Sequence, residues 1–148
     1  MASPTTMGMR RKGRELALQA LYQVDFSTDD PRRAVQVFWE HCDAPDDART
    51  FGADLVGGVL NEQSRIDELI GGSSDNWRLE RLSHVDRNIL RVATYELLCR
   101  RDVPASVAID EAIEIAKRFG SDESPTFVNG VLDHIAAAVG AKERQRAL

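Results

Sequence analysis

The chain has 148 residues, enough for one domain or two small subdomains sharing a core, and at this length roughly 70% of the unfolded surface can be buried without staples. Its two cysteines, Cys42 and Cys99, form no CxxC pair, which argues against a zinc site, points to a reducing compartment and suits small core residues. No run approaches the ~18 apolar residues of a membrane span, and Met1–Met9 lacks the apolar core of a signal peptide, so the expected location is cytoplasmic. The net charge of −5 is unevenly spread. Residues 1–24 carry four basic and one acidic side chain, and residues 77–103 carry six arginines against four acids. Residues 25–76 are strongly acidic, with twelve acids against four bases. A basic end and a basic middle are expected to form a local positive patch on an acidic protein.

In chain order, Met1–Met9 reads as a loose tail and Arg10–Phe26 as an amphipathic helix with Ala17, Ala20, Leu21 and Val24 inward. Arg11, Glu15, Leu18 and Tyr22 share another face, with Arg14 beside it. Asp29, Asp30 and Pro31 break the helix. A second helix follows over Arg32–Cys42 around Val35, Phe38 and Trp39, then a turn at Asp43–Asp47. A third is expected from about Ala48 to Ile70, through Phe51, Leu55, Val59, Ile66 and Leu69; Gly57 and Gly58 interrupt it, as a weak point or as a place where another helix comes close. Gly71–Asp75 reads as a linker between subdomains of about residues 10–75 and 76–140, with three helices on each side.

Trp77–Leu82 is a short connection, and Ser83 with Asp86 three residues on starts a central helix running to about Arg101. Val85, Ile89, Val92, Ala93 and Leu97 face inward, while His84, Arg87 and Arg91 follow one outer line with Asn88 between them. Two further helices close the fold. Behind Pro104, Ala108, Ala112, Ile115 and Phe119 recur at helical spacing, and Val107, Ile109, Ile113 and Ala116 widen the stripe. Lys117 and Arg118 suit the last turn and Gly120 the stop. Ser124 is expected to cap the last helix, with Pro125 in its first turn and Val128, Val131, Leu132, Ile135 and Val139 on one face. Ala141–Leu148 reads as a frayed tail. The whole is all-α, two small three-helix-bundle-like subdomains with six to seven helices in all.

Signatures of catalysis are scarce. There is no GxSxG, P-loop or GxGxxG, and His41, His84 and His134 lack the spacing of an HExxH zinc site. Neither a cofactor nor a metal is expected. Three constellations remain. Arg10, Arg11, Lys12 and Arg14, followed by Tyr22, supply cations for phosphates and a flat ring for an unstacked base. They fit equally a solvated basic helix start whose tyrosine seals the core edge. His84, Arg87 and Arg91 fit a phosphate track or a plain exposed helix face. Phe127, at the edge of its apolar stripe beside Asp122, Glu123 and Asn129, fits a binding anchor or a contact closing the helix start.

VPASVAIDEAIEIAKRFGSDESPTFVNGVLD closely resembles the C-terminal signature of the NusB family of bacterial transcription antitermination factors. RRKGRELALQALYQ resembles that family's first helix and ILRVATYELL its central helix, in the family's order from about Arg10 to Ala137. The resemblance implies a protein that is not an enzyme. With a small-subunit ribosomal protein, also called NusE, it would bind boxA-type single-stranded RNA in nascent ribosomal transcripts and help RNA polymerase resist termination. It carries Arg10, Arg11, Lys12, Arg14, Tyr22, His84, Arg87 and Arg91 to the RNA, and Asp122, Glu123, Phe127 and Asn129, joined by Glu80 and Asp86, to the ribosomal partner. Pro125 and Thr126 depart from the more polar pair of some members. Two rival functions are an RNA-targeting module like those fused to ribosomal RNA cytosine methyltransferases, and a helical interaction module without RNA. The family resemblance leaves monomer and homodimer both open.

Overall fold

The structure is a computed structural model that describes residues 4–73 and 79–141, the first four by backbone alone. Among these residues there are seven α-helices: α1 Pro4–Phe26, α2 Pro31–Glu40, α3 Asp46–Asn61, α4 Gln63–Ser73, α5 His84–Cys99, α6 Ala105–Phe119 and α7 Ser124–Ala138. A single 3₁₀ turn, Leu79–Arg81, precedes α5. The expected all-helical fold is therefore present. The chain divides into two compact units, Met1–Gly58 and Val59–Leu148.

In the first unit α1 packs on α2, and a glycine pair brings α1 and α3 together. A Cβ on Gly13 would stand 2.9 Å from the carbonyl oxygen of Ala48 and from the Phe51 ring, and one on Gly52 would stand 2.8 Å from the Gly13 carbonyl oxygen. Only hydrogen fits at such a crossing. Arg49 reaches back from α3 and donates to the carbonyl oxygens of Trp39 and Cys42, both at 3.1 Å. It thereby satisfies acceptors that the end of α2 leaves without intrahelical donors. Phe38 and Trp39 meet edge to face at 5.0 Å.

In the second unit α6 and α7 pack most extensively, with α5 against both and α4 against α5 and α7. Ile66, Ile70, Leu90, Ala108, Ala116, Val128, Leu132 and Ile135 are all fully buried. This small, interlocked set forms the core of the unit, in which Glu96 and Glu111 are buried as well. Ser83 caps α5 as expected, its Oγ accepting the Asp86 N–H at 3.0 Å.

Several expectations are corrected. The first helix begins at Pro4, so most of the expected N-terminal tail is helical; a proline is well suited to that position. The long third helix is two, and the break falls at Glu62 rather than at Gly57 and Gly58. The helix runs through both glycines because Leu55, Val56 and Val59, buried around them, outweigh a propensity cost of ~1 kcal/mol per glycine. The unit boundary lies within α3, since Ile66 and Ile70 bury α4 among the later helices, and α4 runs through Gly71 and Gly72. Asp46 and Asp47 belong to the first turn of α3, where acids favour the dipole.

Ser124 does not cap α7; it is the first helical residue, and its Oγ accepts the Ser121 N–H at 3.0 Å, tightening the connection instead. Val107 is exposed and Cys99 is exposed, so neither is core. Ala141, expected in the frayed tail, is buried. Residues 142–148, 1–3 and 74–78, which include the rest of that tail, part of the linker and Trp77, lie outside the described residues.

Candidate nucleic-acid interface

The exposed residues of α1 gather on one arc. At 3.6 residues per turn, Gly8, Arg11, Lys12, Gln19, Tyr22, Gln23 and Phe26 occupy roughly a third of the helix circumference. The arc carries two cations near one end and two aromatic rings at the other. Arg10 and Arg14, four residues apart, lie off this arc, with guanidinium carbons 4.9 and 5.2 Å from the centroid of Phe51. Both fall within cation–π range of one ring. Arg14 is only 3% exposed and Glu15 is also buried, so Arg14 does not share an outer face with Tyr22. Its neighbours on the wheel include Leu18, and that flank of the helix is interior.

Tyr22 is 46% exposed and Phe26 60%. Their centroids lie 4.8 Å apart with planes tilted by 44°. Phe26 and Phe51 are not among the candidate site residues read from the sequence; Phe51 is expected there only as a core position of the third helix. The signal for Phe26 is its i, i+4 spacing from Tyr22 on the arc of Arg11 and Lys12. No pattern in the sequence pairs Phe51 with Arg10 and Arg14, because α3 lies far along the chain and its approach depends on two glycines.

In the second unit the outer line of α5 holds at its start and fails further on. His84 and Arg87 are half-buried, and an Arg87 Nη2 donates to His84 Nδ1 at 2.9 Å, which makes that ring nitrogen the acceptor. Arg91, placed on the same outer line by the sequence, is 8% exposed. Its Nε and Nη2 donate to the two carboxylate oxygens of Asp67 at 2.8 and 2.9 Å, and its Nη1 reaches Asn88 Oδ1 at 3.4 Å. Asn88 itself is fully buried. Arg91 therefore ties α5 to α4, because a guanidinium fork matches a carboxylate and a buried charge needs such a partner. The expectation of an exposed Arg91 is corrected on that ground.

The acids and the aromatic ring expected at the protein-partner surface all fall in the second unit. Glu80 is exposed on the 3₁₀ turn, Asp122 and Glu123 are exposed between α6 and α7, and Asn129 is exposed on α7. Phe127 is half-buried in the first turn of α7, the edge position its place on the stripe predicts. Asp86, also half-buried, has a buried Oδ1 without a hydrogen-bond partner among the described residues.

Comparison with known proteins now adds to this geometry. The NusB family profile matches residues 11–137. A transcription antitermination protein NusB from Sorangium cellulosum (strain So ce56) is 46% identical over 140 residues, covering 95% of this chain and 100% of that one. A solved structure of T. maritima NusB superposes with a TM-score of 0.82 at 40% identity, covering 99% of both chains. A solved structure of antitermination factors NusB and NusE in complex with dsRNA gives a TM-score of 0.76 at 25% identity, covering 89% of this chain and 98% of that one. With its helical fold superposing on a solved NusB and its sequence matched from Arg11 to Ala137, this chain belongs to the NusB family.

Proposed function

We propose that this chain is a transcription antitermination factor that acts by assembly, without catalysis, in the cytoplasm. It binds boxA-type single-stranded RNA of nascent ribosomal transcripts together with NusE, the small-subunit ribosomal protein, and the assembly helps RNA polymerase resist termination. The observation that carries the reading is the exposed arc of α1, where Arg11 and Lys12 precede Tyr22 on one side of a helix. Cations there neutralise phosphates and the ring stacks a base, the two requirements of single-stranded RNA. A related NusB is known with NusE and dsRNA, which supports both the partner and the class of nucleic acid.

Each unit brings its own contacts. On α1, Arg10, Arg11 and Lys12 meet phosphates, and Tyr22 meets a base; Arg14 acts from behind, through the Phe51 ring that it shares with Arg10. On α5, Arg87 presents a cation steadied by His84, and Arg91 holds the helix in place through Asp67. The acids Glu80, Asp86, Asp122 and Glu123, with Asn129, join the ring of Phe127 in a surface that suits a basic ribosomal protein. The relative matched along its whole length is named as an antitermination protein, which favours this reading over a methyltransferase-targeting module.

The test is a titration with boxA-type RNA at moderate salt, with and without NusE. Binding that tightens when NusE is added supports the reading. Absence of RNA binding in both conditions would leave a protein-interaction module.

A further inference from the structure

Among the described residues Phe26 is the most exposed of the large apolar side chains, at 60%, and it ends α1 on the same arc as Arg11, Lys12 and Tyr22. An exposed phenylalanine gains nothing from water and contributes little to the core. Its companion ring is equally informative. Tyr22 lies one turn back, 4.8 Å between centroids, and the two planes are inclined by 44°. That separation is too short to admit a base between the rings, since stacked rings on either side of a base would need about 7 Å between their centroids. Each ring therefore has only its outward face to offer. The two faces are splayed, whereas successive bases in a duplex are parallel.

We propose that Tyr22 and Phe26 form a two-ring platform that takes two successive bases of the RNA, one per ring, and that it selects RNA whose bases are unstacked at that step. The proposal deepens the RNA-binding reading above and rests on it. Charge complementarity names the occupant: the same arc carries Arg11 and Lys12, about 16 Å along the helix from Tyr22 at 1.5 Å per residue. A strand whose phosphates lie on those cations reaches the rings with its bases turned to the helix. A purely apolar partner would find the arc interrupted by Gln19 and Gln23 and bounded by charge. Phe26 thus supplies discrimination between single strand and duplex, while Arg11 and Lys12 supply affinity for either.

The experiment compares the full chain with Phe26→Ala, Phe26→Trp, Tyr22→Ala and Arg11→Ala, each titrated with a boxA-type single strand and with the corresponding duplex. Losing a stacked base costs roughly tenfold in affinity. Phe26→Ala is expected to weaken single-strand binding by about tenfold, to leave duplex binding and the salt slope unchanged, and to be rescued by Phe26→Trp. Arg11→Ala is expected to weaken both nucleic acids and to flatten the slope. Unchanged single-strand binding by Phe26→Ala, with Arg11→Ala and Tyr22→Ala impaired, overturns the platform and keeps α1 as the RNA helix. Unchanged binding in all variants overturns the α1 reading itself. Equal loss on strand and duplex removes the selectivity. A shift in sedimentation for Phe26→Ala with RNA binding intact would assign the rings to a second copy of this chain instead.

Discussion

In the first unit Arg10 and Arg14 lie over the ring of Phe51, whereas in the second Arg91 ends on both oxygens of Asp67. A bidentate carboxylate orients a guanidinium and removes most of its field. The two helices look alike in sequence, each with arginines at helical spacing on an expected outer face. The contacts give them different work. On α1, Arg11 and Lys12 are exposed to solvent, whereas Arg91 of α5 is buried and holds that helix against α4. Nucleic-acid contact is therefore expected to depend on the exposed Arg11 and Lys12 more steeply than on Arg91.

The most disruptive way to probe this contrast is Asp67→Ala. It leaves the Arg91 guanidinium buried without its carboxylate, and loss of ~3 kcal/mol is expected, read as a lowered midpoint in urea denaturation. A midpoint unchanged within error would mean that solvent or another acceptor already serves Arg91. Next is Gly13→Ala, whose added carbon would meet the Ala48 carbonyl oxygen and Phe51. Forcing α1 and α3 apart should cost about 2 kcal/mol, while Gly57→Ala, whose Cβ would meet nothing within 4 Å, should add up to ~1 kcal/mol of stability. Thermal melting of the pair separates a required close approach from a merely tolerated glycine.

The second unit's surface is sharpened by Phe127→Asp. Calorimetry with NusE should show binding weakened about thirtyfold, roughly 2 kcal/mol, with RNA affinity of the isolated protein preserved. Intact binding to NusE would place the interface elsewhere, and gross unfolding would make Phe127 core. The smallest expected effect is Ser83→Ala, which removes the hydroxyl that accepts the Asp86 N–H and should cost ~1 kcal/mol, seen as a small drop in melting temperature.

Helical periodicity, the prolines and the Ser83 cap make most of the elements legible in the sequence, because each is a local signal. The core stripes of α6 and α7 are legible for the same reason, and Val107 shows the limit: an apolar residue at the stripe's margin is buried only where a neighbour covers it, and Val107 stays exposed. The break at Glu62 is misplaced by sequence reasoning because glycines signal weakness while burial of Leu55, Val56 and Val59 decides the outcome. Within the candidate site, the exposure of Arg11, Lys12 and Tyr22 agrees with their place on the wheel. That of Arg14 and Arg91 does not, since the residues that bury them, Phe51 and Asp67 among them, come from other helices. Long side chains on a helix flank snorkel or stack according to those neighbours, which no single-helix pattern encodes.

The most direct measurement of the contrast between the two units is the salt dependence of boxA-type RNA binding for two paired variants. Arg11→Ala with Lys12→Ala removes exposed cations of α1; Asp67→Leu with Arg91→Met replaces the buried pair by apolar side chains of similar reach, a change that buried ion pairs often tolerate. Each single-strand phosphate left without its cation should reduce the slope of log K against log salt by about 0.7. A slope flatter by about 1.4 and weaker binding are expected for the first pair, and an unchanged slope for the second. A flattened slope for the Asp67 and Arg91 pair, with the α1 pair unaffected, would contradict that contrast.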